Sequence, residues 1–241
     1  MAANPLFICW TLLEEQEMAN RLEAQPQPLE IDWKRTAVII IDMQNAFISR
    51  GGMFDLRGFN VSGLAGAVGP IKRLADAARV RKIKVIYVIQ VLSPDLREVG
   101  PVTPYFYNHL LKVYRENPEL RDKLLLRGTW GAQIIDELKP QEDEIVVEKS
   151  RFSAFAGTNL DIILRTYDIR YLIFSGVATN ICVESSLREA CHLQYFSILA
   201  SDAAMAYPPA RHESTIANVA QCFGWVADTE SLIKAMASSQ D

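Results

Sequence analysis

The chain has 241 residues, of which 49% are hydrophobic and 22% charged, and its net charge at neutral pH is -4. A chain of this length buries about 70% of the surface it exposes when unfolded, enough for one large core, and its composition excludes collagen-like, coiled-coil and disordered classes. No Lys/Arg cluster supplies the footprint of a nucleic-acid-binding protein, and no apolar run approaches the ~20 residues of a membrane helix. Four cysteines, Cys9, Cys182, Cys191 and Cys222, show neither metal-ligand spacing nor a dense disulfide framework. With an N-terminus that lacks a basic n-region, this usage predicts a cytoplasmic protein.

Residues 1–30 read as an N-terminal arm. Leu12, Leu13, Met18 and Leu22 line one face of a short helix that the prolines of QPQPLE end. Residues 31–241 read as one domain in which strands alternate with helices. TAVIIID (36–42) is a β-branched run of the kind found in strands buried on both faces. A helix is predicted over 61–82 and a second buried strand, KVIYVIQ, over 84–90. The stretch 91–130 carries Pro94, Pro101, Pro104 and Pro118 and is long for a connection, which marks it as a lid or binding loop. A helix follows over 131–138, then a strand over 144–149, a helix over 158–168, a strand over 170–176 and a helix over 180–193. The chain closes with a strand (195–201), a helix opened by prolines (208–223), a short strand (224–228) and a last helix (229–237). This alternation predicts an α/β fold: a parallel, doubly wound sheet of about six strands with helices on both faces. Ligands of such sheets bind beyond the carboxyl ends of the strands.

Three residues at those ends carry useful chemistry. Asp42 ends the first long strand, Lys149 ends the third, and Cys182 lies just past the fourth. Each has a plainer reading, as a turn residue, a solvated amine or a small buried hydrophobe. Their shared edge favours a site. Cys182 is predicted in the first turn of a helix, where unpaired N–H groups and the helix dipole lower a thiol pKa and can hold an oxyanion. The chain has only three histidines, His109, His192 and His212. His192, ten residues along the same predicted helix, is about 15 Å from the thiol and cannot serve it as a base. Asp42 as base and Lys149 as electrostatic stabiliser can do that work instead.

AVIIIDMQNAF, VVEKSRFSAF and FSGVATNICVESSLREA closely resemble the three signature segments of the isochorismatase-like cysteine hydrolase superfamily, in order and over about residues 32–235. NPELRDKLLLRGTWGAQIIDELKP and CFGWVADTESL resemble its ureidoacrylate amidohydrolase branch. The resemblance implies a catalytic triad of Asp42, Lys149 and Cys182, and a cis peptide between Val177 and Ala178. It further implies an oxyanion hole of the Ala178 and Cys182 amides, and a pocket near Phe47, Gln90 and Phe152. Homo-oligomers, dimer or tetramer, are implied as well. Arg211 and Arg151 are candidates for a substrate carboxylate. The superfamily's nicotinamidases carry an Asp-x-His metal site where this chain has QVLSPDL (90–96), so no metal or other cofactor is expected. Val91, Ser93 and Phe152 stand where the ureidoacrylate branch carries Asn, Trp and Tyr.

The expected function is metal-independent cysteine hydrolysis of a C–N bond in a small ureido or carbamoyl amide, through a thioester. Two alternatives stand beside it. One is isochorismatase-type hydrolysis with Asp42 as general acid and Cys182 incidental; the other is a non-catalytic binding protein on the same scaffold.

Overall fold

The computed structural model describes residues 20–99 and 116–238. Two short strands, β1 (Arg21–Leu22) and β2 (Leu29–Glu30), form an antiparallel pair. The main sheet begins with β3 (Thr36–Ile41), followed by two single-turn helices, α1 (Asn45–Ile48) and α2 (Val61–Leu64), and a longer one, α3 (Val68–Val80). Next come β4 (Lys84–Gln90), β5 (Ile145–Lys149), α4 (Leu160–Thr166) and β6 (Tyr171–Val177). The chain ends with α5 (Glu184–His192), β7 (Phe196–Met205), α6 (Pro209–Asn218), β8 (Trp225–Ala227) and α7 (Thr229–Ser238).

Strand order is β5-β4-β3-β6-β7-β8 with every neighbouring pair parallel, the six-stranded sheet that the alternating pattern predicts. The chain winds outward from β3 to the β5 edge, then returns to the centre and winds the other way through β6. Period-two alternation divides each central strand between two cores. Val38, Ile40, Val85, Tyr87 and Ile173 join one, with Ile71 and Leu74 of α3 and Leu232 of α7. Ile39, Ile41, Ile86, Val88 and Phe174 join the other, with Leu160 of α4 and Leu187 of α5. Helices therefore cover both faces. Among the described residues no helix is long and apolar enough to cross a membrane.

Two local expectations differ from the structure, and a third falls partly outside the described residues. Leu22 lies in β1, fully buried, instead of on a helix, while Leu12, Leu13 and Met18 fall outside the described residues. Gln25, in the turn between β1 and β2, exchanges both backbone hydrogen bonds with Val226 of β8, so residues 20–30 are fastened to the body. The helix predicted over 131–138 shrinks to a single 3-10 turn, Asp136–Leu138. Its backbone is engaged elsewhere: Gly131 O and Gln133 O accept from Ala46 N and Asn45 N, and Ile135 N donates to Met43 O, all within 3.0 Å. The lid expectation over 91–130 falls partly outside the described residues, His109 with it. The described part holds a Leu92–Leu126 parallel bridge and a 3-10 turn, Pro118–Lys123.

β3 and β6 run closest at their carboxyl ends. Gly176 has φ +113°, and a Cβ there would lie 2.0 Å from the carbonyl oxygen of Ile41. Only glycine permits both the dihedral and the approach. Gly176→Ala is expected to cost more than about 3 kcal/mol in urea-induced unfolding, as overpacking and a disfavoured φ add.

Candidate active site

Parallel strands end together at one edge of the sheet, and the residues just beyond them converge there. Asp42, one residue past β3, has left-handed backbone (φ 55°), and its N–H donates to Val88 O at 2.8 Å. Lys149 is the last residue of β5, in register with Gln90 at the end of β4. Lys149 Nζ donates to Asp42 Oδ2 at 2.8 Å and to Gln90 Oε1 at 3.4 Å. Cys182 Sγ lies 4.0 Å from the same Gln90 oxygen. The structure thus brings together Asp42, Lys149 and Cys182, with Gln90 from the strand between the first two. All four are buried, the Asp42 and Lys149 side chains completely.

Cys182 reaches this point through unusual backbone. The Val177–Ala178 peptide at the end of β6 is cis. A single π turn, Thr179–Val183, follows and carries Cys182 before α5 begins. Such wide turns recur at functional sites. Ser186 of α5 donates to Cys182 O at 2.6 Å and accepts from Ala154 N at 2.8 Å. This bridge ties the cysteine's backbone to the loop that follows Lys149.

Gln44 makes a second brace, and sequence reasoning passed over it. Its fully buried amide donates to Gln90 O at 2.9 Å and Ala132 O at 2.8 Å, and accepts from Gln90 N at 2.8 Å. One side chain thereby locks the ends of β3 and β4 to the 131–133 segment. Gln44 and Ser186 both fall inside the signature segments, but a polar residue there carries no mark of burial until the strands are paired.

Electrostatics here follow from burial. Desolvation pushes the Asp42 carboxyl above the ordinary carboxylate range, against the pull of Lys149, the Cys182 thiol and the Gln90 backbone. Burial also works against the Lys149 ammonium, but Asp42 and Cys182 more than offset it, so its pKa stays above the usual value. The Cys182 thiol is pushed far up, by burial first and by the Asp42 charge second, with Lys149 restoring only part. This corrects the expectation of a thiol acidified by a helix N-terminus: the helix proper starts after Cys182, and desolvation dominates. The Lys149 ammonium and the Cys182 thiol both hold their protons more tightly than usual, beside a carboxyl made more basic by burial. Asp42 Oδ1 has no hydrogen-bond partner among the described residues, which leaves it able to take a proton. A thiol beside a carboxylate made more basic by burial, with a cation to hold the resulting charge, suits nucleophilic attack on a carbonyl.

The remaining candidates are placed as follows. Phe47, in α1, packs edge-on against Phe54 with ring centroids 4.8 Å apart, within the core. Phe152 is half-buried where the two cores meet. Arg211 is exposed on α6 and makes no ion pair among the described residues, and Arg151 bonds back to Ser150 O at 2.8 Å. Thr179 and His212, which sequence reasoning did not link to the site, meet at 2.9 Å. Burial holds the His212 pKa below its ordinary value, against the influence of Glu213 and the Ser201 backbone. No group of three His, Cys, Asp or Glu among the described residues is arranged to hold a metal ion.

Removing Lys149 leaves Asp42 buried without its counter-charge, which typically costs roughly 3–5 kcal/mol. Lys149→Ala is expected to lose about that much stability near neutral pH in denaturant titrations. With the folded-state carboxyl pKa raised above its unfolded value, stability is present at low pH and lost as pH rises. The deficit should therefore shrink as pH falls toward about 4, the ordinary carboxylate value; a deficit independent of pH would refute the buried-charge account.

An isochorismatase domain matches residues 36–231. The ureidoacrylate amidohydrolase RutB of Agrobacterium fabrum is 45% identical over 209 residues, covering 86% of this chain and 92% of that protein. Its namesake from Rhizobium rhizogenes is 44% identical over 217 residues, with 89% and 88% covered. Among solved structures, a cysteine hydrolase from Pseudomonas syringae pv. phaseolicola 1448A superposes with a TM-score of 0.74 at 30% identity, covering 87% of this chain and 96% of that one. With a domain match running from the first central strand into the last helix, and relatives this similar along nearly their whole length, the chain belongs to the isochorismatase family.

Proposed function

We propose that this protein is an amidohydrolase that cleaves a C–N bond of a small ureido or carbamoyl compound, with Cys182 as nucleophile. The observation that carries the reading is the buried Lys149–Asp42 pair, whose second carboxylate oxygen has no hydrogen-bond partner among the described residues and lies near the Cys182 thiol. As Sγ attacks the substrate carbonyl carbon, Asp42 Oδ1 takes the thiol proton and the carbonyl π pair moves to oxygen. The resulting oxyanion is held by the amides of Ala178 and Cys182, one on each side of the Thr179–Ile181 segment. Lys149 stays protonated throughout, and its charge offsets the negative charge that passes from the Asp42 carboxylate to the oxyanion. Collapse of the intermediate breaks the C–N bond, and the departing nitrogen receives the proton from Asp42. A thioester remains on Cys182. Water then attacks it, Asp42 accepts the water's proton, and the thiol is restored as the carboxyl product leaves.

The names of these two relatives support a ureido substrate, and Gln90, in contact with both Lys149 and Cys182, is the pocket residue best supported by geometry. Phe47 and Phe152 are proposed as apolar lining. Arg211, exposed and without an ion pair among the described residues, is the proposed partner for a substrate carboxylate. A cytoplasmic setting and a homo-oligomer complete the proposal, the latter expected as a dimer or tetramer in multi-angle light scattering.

The direct experiment measures ammonia or amine release from ureidoacrylate analogues, N-carbamoyl amino acids, biuret, triuret, maleamate and nicotinamide, with and without chelator. Turnover of a ureido or carbamoyl member, unaffected by chelator, is expected. Cys182→Ser should lower it by at least about 10³-fold while leaving the fold intact, a loss typical of removing a catalytic nucleophile. Undiminished activity in that variant would overturn the assignment.

A further inference from the structure

One polar contact reaches the cysteine's turn from an element that takes no part in the triad. Thr179 is fully buried and opens the π turn that presents Cys182, directly after Ala178 and the cis peptide. Its Oγ1 lies 2.9 Å from His212 Nδ1 on α6. Three residues further along the same helix, Thr215 donates to Glu184 Oε2 at 2.5 Å. Positions three apart share a helix face, so one face of α6 grips the cysteine segment on both sides of Cys182.

The two grips are not equivalent. Glu184 stands at the start of a regular α-helix and is also ion-paired with Arg188, so it is held without α6. Thr179 lies in a wide turn between a cis bond and that helix, where the i→i−4 ladder that stiffens an α-helix is absent. Its side-chain bond fastens the opening of the turn to the body of the protein, as the Ser186 bridge fastens Cys182 O near its close. Both partners are at least half-buried, so neither finds an equal replacement in solvent if the other is removed.

We infer that His212 is a positioning residue: through Thr179 it sets the orientation of the 178–182 turn, and with it the aim of the Cys182 thiol at the carboxylate of Asp42 and at the substrate carbon. The inference rests on the assignment of Cys182 as nucleophile. Aim matters steeply in such reactions, since a misplacement of about 1 Å can cost about 10²-fold in rate.

The test compares His212→Ala, Thr179→Val and the double variant with His212→Asn, whose amide offers both a donor and an acceptor close to the place of Nδ1. Thr215→Val serves as the control for helix packing alone. Measured for each are kcat and KM on the preferred ureido or carbamoyl substrate, the rate of Cys182 alkylation by iodoacetamide, and the melting temperature. His212→Ala and Thr179→Val are each expected to lower kcat at least about tenfold with KM within about twofold, and the double variant to be no worse than either. Alkylation of Cys182 should slow in parallel. His212→Asn should recover most of kcat, and Thr215→Val should lose melting temperature but keep kcat. Unchanged kcat in folded His212→Ala, losses that multiply in the double variant, or kcat that merely follows melting temperature across the set would each overturn the inference. If wild-type protein turns over none of the amides, the proposed function fails and alkylation decides alone: equal Cys182 rates in wild type and His212→Ala overturn the positioning role, and a slower variant supports it.

Discussion

A lysine and an aspartate with no solvent exposure, 2.8 Å apart and 107 residues apart in sequence, are the constraint around which this molecule is built. Either charge alone would be intolerable at that depth, so each requires the other. Their strands are not neighbours: β4 lies between β3 and β5 and places Gln90 against the same ammonium. Satisfying one ion pair therefore fixes the alignment of three strand ends. The left-handed turn at Asp42, the Gln44 brace and the glycine that lets β6 approach β3 all maintain that alignment.

The chemistry follows from the same burial. Desolvation raises both the carboxyl and the thiol, so the two compete for one proton in a site whose positive charge is constant. A permanently ionised cysteine is not what this geometry stores. It stores a carboxylate more basic than usual next to a protonated thiol, with the lysine's positive charge against both in a low-dielectric interior. In the proposed reaction that carboxylate is the base, and no histidine is called on.

Much of this was legible in the amino-acid sequence. TAVIIID, KVIYVIQ and RYLIFSG are β-branched or apolar runs that can only be strands covered on both sides, and their spacing demands parallel crossovers. Once the sheet is parallel, Asp42, Lys149 and Cys182 must share an edge. What was not legible depended on groups distant in sequence. GAQIIDEL has a helical pattern, yet its backbone groups bond to Asn45, Ala46 and Met43, and long-range pairing overrides local propensity. The acidity of Cys182 was misjudged because a helix terminus is visible in a sequence, whereas the depth of burial is not. Gln44, Ser186 and His212 are ordinary polar residues until the partners that they hold are known.

β5, which carries the lysine, is the outermost strand of the sheet. It has a neighbour on one side only, and Val146 and Glu148 on it are exposed. Glu148 on it pairs with Arg127, and Glu144, just before it, with Arg79 of α3. An outermost strand opens more readily than a central one, in local excursions that leave the rest of the sheet intact. The lysine of the buried pair is thus carried by one of the sheet's two outer strands. For the proposed reaction, loss of local order in that strand on warming would end turnover before the rest of the sheet gives way.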